Sequence, residues 1–224
     1  MRLLTRNISI SFFLLLCAAC TFILFQGSSF ADDKLIFMAD ENYRPYEFSD
    51  SQGQAQGFNV DIFRAVADVM GLEVRIESGE WHDIRSALEA GEIDGLTGMY
   101  YSQARDRKVD FTNSFITVRH SIFVRKNSNA LKSLEDIRGK QIAVQQGDIM
   151  HDYVLKHDLT QKIIFAEDQA QALHLLASGK CDCALLAKLQ GLYNLERLGI
   201  ENVKAVGSPF SPRKYCFAVQ QGNQ

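Results

Sequence analysis

Arg105 follows Ser102 by three residues in the stretch Asp94 to Phe111, DGLTGMYYSQARDRKVDF, and that spacing suits the capture of an anion. Ser102 is a preferred N-cap type and Gln103 to Lys108 has high helix propensity, so the pattern predicts a helix with Arg105 in its first turn. A cation there opposes the helix dipole, and an anion would offset it. A carboxylate held by free backbone amides and by the planar guanidinium fork receives several charge-assisted hydrogen bonds at once. A surface ion pair with Asp106 or Asp110 is the plainer alternative. Gly147 and Asp148 offer a second strand-to-helix turn of this kind, leading into a helix that starts at Ile149. Asp40 ends the apolar run KLIFMA, and ligands gather at the carboxyl ends of strands in open α/β sheets. Tyr43, Pro45 and Tyr46 add a stiff aromatic loop beside it, with Arg44 between them.

Placing these residues takes an alternation of strands and helices. Lys34 to Ala39 reads as a buried strand, and a helix follows from about Asn59 to Met70, with Ile62, Phe63, Val66, Val69 and Met70 as its apolar stripe and Gly71 as its stop. LEVRIE (72–77) alternates like a half-buried strand, Glu80-Trp81-His82 opens a helix that Gly91 ends, and Ile93 to Gly98 is a buried strand. This β-α-β-α-β series predicts a doubly wound lobe. FITVRHSIFVR (115–125) is long enough to cross from one lobe to another. A second series comprises a short helix in SLEDIRGK (133–140), strands at 140–145 and 162–167, a helix starting on Asp168 and Gln171, strand CDCALLA (181–187), helix KLQGLYNLERLG (188–199), and two strands, NVKAVG and KYCFAV.

Arg2 and Arg6 precede an apolar run from Ile8 to Phe25, and Ser29-Phe30-Ala31 fits a small-residue cleavage site. Residues 1–31 therefore read as a signal peptide or, given the 18-residue length of that run, an N-terminal anchor, and the mature chain as periplasmic or extracytoplasmic. The whole chain carries a net charge of −3, and without its first 31 residues it has 22 basic against 27 acidic residues, which argues against nucleic acid as a partner. Cys181, Cys183 and Cys216 remain, an odd number that closes no disulfide framework, and they read as small core residues. His82, His120, His151, His157 and His174 lack metal-ligand spacing and read as solvated. Gly-x-Ser-x-Gly and Gly-rich phosphate loops are absent, and no cofactor is called for.

ADENYRPYEF (39–48), GFNVDIFRAVADVMG (57–71), DGLTGMYYSQARDRKVDF, IRGKQIAVQQGD (137–148) and SGKCDCALLA (178–187), in this order, resemble the bacterial extracellular solute-binding proteins of family 3. The resemblance covers about Lys34 to Val219. It implies a two-lobed periplasmic binding fold, each lobe a doubly wound sheet, joined by a two-strand hinge: lobe 1 at 32–116 and 212–224, with further helices of that lobe missing, and lobe 2 at 117–211. It also implies a ligand site at Asp40, Tyr43, Trp81, Gly98, Tyr100, Arg105, Gln145, Gly147, Asp148 and Ile149, with Tyr43 and Trp81 as an aromatic sandwich. Tyr100 stands where the family has a small hydroxyl residue, and Ala187 where it has an aspartate that pairs with the ligand's ammonium. With Lys188 next in line, the expectation is that either Asp40 takes over the ammonium or the ligand is an acid without that amine or with a second carboxylate near Lys188. The implied function is capture of a small carboxylate-bearing, amino-acid-like metabolite by hinge closure, in the sensor part of a longer signalling protein like those of membrane sensor kinases and diguanylate cyclases. A free receptor for an ABC permease is one alternative. A dehydratase using Glu80 or Asp148 as general acid is another.

Overall fold

A computed structural model describes residues 34–223; the leader or anchor expected at 1–31 lies outside the described residues. Strands β1 (Leu35–Asp40), β5 (Val74–Gly79) and β6 (Gly95–Tyr100) are parallel, in the spatial order β5-β1-β6. Strands β9 (Ile142–Gln145), β10 (Ile163–Ala166) and β11 (Cys183–Ala187) repeat that order as β10-β9-β11. Each lobe thus has a doubly wound parallel core, and the two share a topology without sharing a sequence repeat. Every residue of β6, β9 and β11 is buried, the signature of parallel strands covered on both faces.

Helices supply the covers. Phe63 of α1 (Phe58–Met70) packs on Phe37 and Phe217 at one face of the first lobe, while Ile84 and Leu88 of α2 (Trp81–Ala90) pack with Leu96 and Met99 at the other. In the second lobe, Ile149, Met150 and Val154 of α3 (Ile149–Lys156) join Ile142, Val144 and Leu185. Leu173 and Leu176 of α4 (Gln169–Ala177) meet Ala143, Ala184 and Leu186 on the opposite face. Helix α5 (Lys188–Arg197) follows β11 directly, and Gly191 lies so close to the Phe123 ring that a Cβ would stand 2.3 Å from it. Three short strands, β2 (Asn42–Tyr43), β3 (Glu47–Ser49) and β4 (Ala55–Gln56), form a side sheet that carries the aromatic loop.

Two long strands join the lobes. β8 (Ile116–Arg125) pairs antiparallel with β11, and β12 (Val203–Gln220) pairs antiparallel with β8, β6 and the short β7 (Val109–Phe111). The stretch expected as two strands is this single β12, whose register against β8 shifts between Val206 and Phe210 and again between Phe210 and Arg213. Pro209 and Pro212 cannot donate to a ladder, so the strand bends there instead of ending.

Several local expectations fail for physical reasons. Residues 103–108 form tight turns rather than a helix, because Val109 must already pair with Gln220 across the sheet. The 133–140 segment is also turns, held by Asp136 accepting from Lys132 N and Ser133 N at 2.9 Å each. In α1 the buried face is Asn59, Val60, Phe63 and Ala67, and Val69 and Met70 are exposed. Cys181, Cys183 and Cys216 are buried and unpaired, and burial pushes the Cys181 and Cys216 thiols up to about 11. Among the described residues no helix is long and apolar enough to cross a membrane.

Candidate functional site

Both lobes turn the carboxyl ends of their parallel strands toward one cavity. Asp40 ends β1, Tyr100 ends β6 and Gln145 ends β9. With Tyr43, Trp81, Asp148 and Tyr215 they line a space with room for about one water, about 10 Å³. These strand ends flank the points where strand order reverses in each half, the usual place for a ligand in such sheets. Six of the expected site residues, Asp40, Tyr43, Trp81, Tyr100, Gln145 and Asp148, therefore meet in one wall.

The wall is acidic and aromatic. Gln145 Nε2 donates to Asp40 Oδ2 across the lobes at 3.3 Å, and the Tyr43 and Tyr100 hydroxyls share a short hydrogen bond. Burial pushes the Asp40 carboxyl up to about 7, against the opposing hydrogen bonds from Asn42 N and Gln145. Asp148 caps α3, accepting from Met150 N, and burial raises its pKa against the pull of Arg105. The phenols of Tyr43, Tyr100 and Tyr215 lie well above their ordinary range because they are buried.

Arg105 stands just outside this wall, 1% exposed, with its guanidinium carbon 5.7 Å from the Trp81 ring centre. It pairs with neither Asp106 nor Asp110. Its Nε and Nη2 donate to Asp152 Oδ2 at 3.1 and 2.9 Å, and Nη2 also reaches the Gly147 carbonyl at 3.1 Å. Burial lowers its pKa, and Asp152 opposes that shift. Asp152 belongs to α3 of the other lobe, so a carboxylate already occupies the fork. Gly147, with φ of 73°, presents its carbonyl rather than its amide to Arg105 and to Arg85 Nη1 (2.7 Å), while its amide donates to His151 Nδ1.

The remaining expected residues sit elsewhere. Gly98 is buried against Asn59 and Tyr215, Ile149 is a core residue, and Lys188 is exposed beside a groove with Tyr46, Val118 and Leu192, away from the cavity. Glu80 is exposed at the start of α2 and does not line the cavity.

Residue types and spacing alone did not reveal Glu47, Tyr215, Asp152 or the burial of His120. Glu47 is 1% exposed and accepts from Thr97 Oγ1 at 2.5 Å and Tyr215 OH at 3.1 Å; burial pushes its carboxyl to about 8. His120 is not solvated: it is fully buried opposite Ala187, its Nδ1 meets the Ser211 carbonyl at 3.0 Å, and burial lowers its pKa to about 4.

The model of the bacterial extracellular solute-binding proteins, family 3, matches residues 35–190. The chain belongs to that family. Its members are extracellular, and the chain works outside the cytoplasm accordingly. It is 33% identical over 147 residues to the arginine-binding extracellular protein ArtP of Bacillus subtilis (strain 168), covering 62% of this chain and 57% of ArtP. It is 26% identical over 182 residues to the L-cystine-binding protein TcyA of the same organism, covering 81% and 67%. Among solved structures, a histidine kinase sensor domain with similarity to periplasmic binding proteins superposes with a TM-score of 0.82 at 36% identity, covering 85% of this chain and 84% of that one. An ancestral arginine-binding protein bound to arginine superposes with a TM-score of 0.77 at 30% identity, covering 85% of each. The two-lobed fold and family expected from the motifs are therefore those of this chain.

Proposed function

We propose that this chain is the ligand-binding part of a sensor that captures a small, carboxylate-bearing, amino-acid-like metabolite between its lobes. Lobe 1 is taken as 32–116 with 212–224, and lobe 2 as 117–211. The observation that carries the reading is the Arg105 fork, buried at the lobe junction and engaged with a carboxylate and a carbonyl of the opposite lobe. A ligand that bridges both lobes binds their closed arrangement better and shifts the population toward it. The sensor role is supported by the likeness to a histidine kinase sensor domain, and the amino-acid class by the names of the relatives.

Calorimetry with L-arginine, L-glutamine and L-cystine, read beside emission of the single tryptophan, Trp81, tests this function. Saturable binding with a change in Trp81 emission is expected, and silence across a broad amino-acid and carboxylate panel would refute it. A reading frame that runs past Gln224 into a membrane span and a signalling domain is expected of the sensor; neighbouring permease and ATPase genes would favour a transport receptor instead. A dehydratase reading draws on the likeness to an ancestral amino acid-binding protein, a precursor of cyclohexadienyl dehydratase, at a TM-score of 0.72 and 29% identity. Asp148 would be its general acid, and a turnover assay with prephenate-like acids separates the two.

A further inference from the structure

A groove of about 630 Å³ runs along the other side of Arg105, well within the range of small-molecule sites. Lobe 1 contributes Arg85, Arg105, Arg107 and Lys108, α3 contributes Lys156, and β12 contributes Arg213, against one acid, Asp152. Six cations thus face a single carboxylate in a chain whose net charge is −3.

Neutralisation is incomplete. Asp152 is taken by Arg105, and Glu89 is shared by Arg85 at 2.9 Å and Lys108 at 2.6 Å. Among the described residues Arg107, Lys156 and Arg213 have no carboxylate within ion-pair distance, and the side-chain hydrogen bond of Arg213 goes to Ser211 Oγ at 3.1 Å. Arg85 and Arg105 also converge on one acceptor, the Gly147 carbonyl, which sets two like charges side by side. Like charges gathered in a concave, partly desolvated groove focus a positive potential there. Arg105 is buried at the base of the groove and Arg85 and Arg213 are half-buried on its walls, while Arg107, Lys108 and Lys156 stand exposed around its rim.

We propose that this groove is a second binding site, adjoining the strand-end cavity and sharing Arg105 with it, for a small soluble anion carrying at least two negative charges, of the polycarboxylate or condensed-phosphate class. Planar guanidinium groups suit both, since each offers paired N–H donors to two oxygens. Because the cations come from both lobes and from the joining strand, a bound anion ties them together and favours the closed arrangement.

Thermal shift and calorimetry with pyrophosphate and with citrate, against sodium chloride at matched ionic strength, test this on the whole chain. Saturable stabilisation by at least one of the two anions is expected. The doubly substituted Lys156→Gln, Arg213→Gln protein should bind that anion at least tenfold more weakly while keeping the wild-type circular dichroism. Lys126→Gln with Lys140→Gln, which removes the same charge elsewhere, should bind as wild type. The proposal is overturned by stabilisation no greater than that of chloride, by equal losses in both double variants, or by binding confined to phosphatidylglycerol vesicles. Amino-acid binding at the cavity is measured in the same samples, so a failure here is distinct from a failure there.

Discussion

Arg105 and Asp152 face each other across the lobes, with both Nε and Nη2 of the guanidinium within 3.1 Å of a single carboxylate oxygen. Arg105 is 1% exposed and the Asp152 side chain 41%, so the arginine depends on the pair more than the aspartate does. A ligand carboxylate seeking the fork must displace Asp152. Asp152→Asn should therefore strengthen binding of a carboxylate ligand while lowering stability by about 1–2 kcal/mol, the smaller figure allowing for the water that screens Asp152. Calorimetry and urea unfolding on one preparation measure both signs. Weaker binding in the variant would mean that Asp152 supports the ligand rather than competing with it.

Arg105→Lys tests the fork itself. Lysine keeps the charge but cannot donate through two nitrogens to one carboxylate and to the Gly147 carbonyl together. Affinity for a carboxylate ligand should fall at least tenfold, about 1.4 kcal/mol. An unchanged dissociation constant would remove Arg105 from the site.

Gly98 lies under the site rather than in it. A Cβ there would come within 2.5 Å of Asn59 Nδ2 and 2.7 Å of the Tyr215 hydroxyl. Gly98→Ala should thus cost about 1–3 kcal/mol by overpacking and should disturb the Tyr215 to Glu47 hydrogen bond. Thermal unfolding reads the first effect, and a wild-type melting temperature would contradict the packing described.

The parallel strands were legible because short apolar runs bounded by turns leave little else to be, and Asp40 followed from the end of its strand, whereas Tyr100 and Gln145 were implied by the family resemblance. What was not legible depended on partners far along the chain. Glu47 follows a proline-aromatic loop and carries no local sign of burial, yet Thr97 and Tyr215 close over it from 50 and 168 residues away. Asp152 shares a helix with the capping Asp148, and nothing local says that its carboxylate meets an arginine 47 residues earlier. The helix expected after Ser102 has good propensity, but the sheet recaptures the chain at Val109, and tertiary pairing outweighs a preference of tenths of a kcal/mol per residue. His120 read as solvated because a lone histidine on a strand carries no sign of which face is covered.

Glu47 gives the pH dependence of stability a definite sign. Its carboxyl titrates near 8 in the folded protein and in the ordinary carboxylate range when unfolded, and Asp40 behaves likewise near 7. Between those limits the folded state holds more protons than the unfolded chain, so stability falls as pH rises. The contribution is fully present below about pH 4 and is lost as pH passes through 7 to 8. His120 works in the opposite direction: its pKa is lowered to about 4, so its contribution is present above about 6.5 and disappears toward acid. From pH 6.5 to 8.5 the two carboxyls therefore act without His120, and the melting temperature should decline across that window. Glu47→Gln keeps acceptor and donor groups near Thr97 and Tyr215 but cannot ionise, so its decline should be clearly shallower. Differential scanning calorimetry at half-unit pH steps decides it, and identical slopes for the two proteins would show that Glu47 is already ionised at pH 6.5.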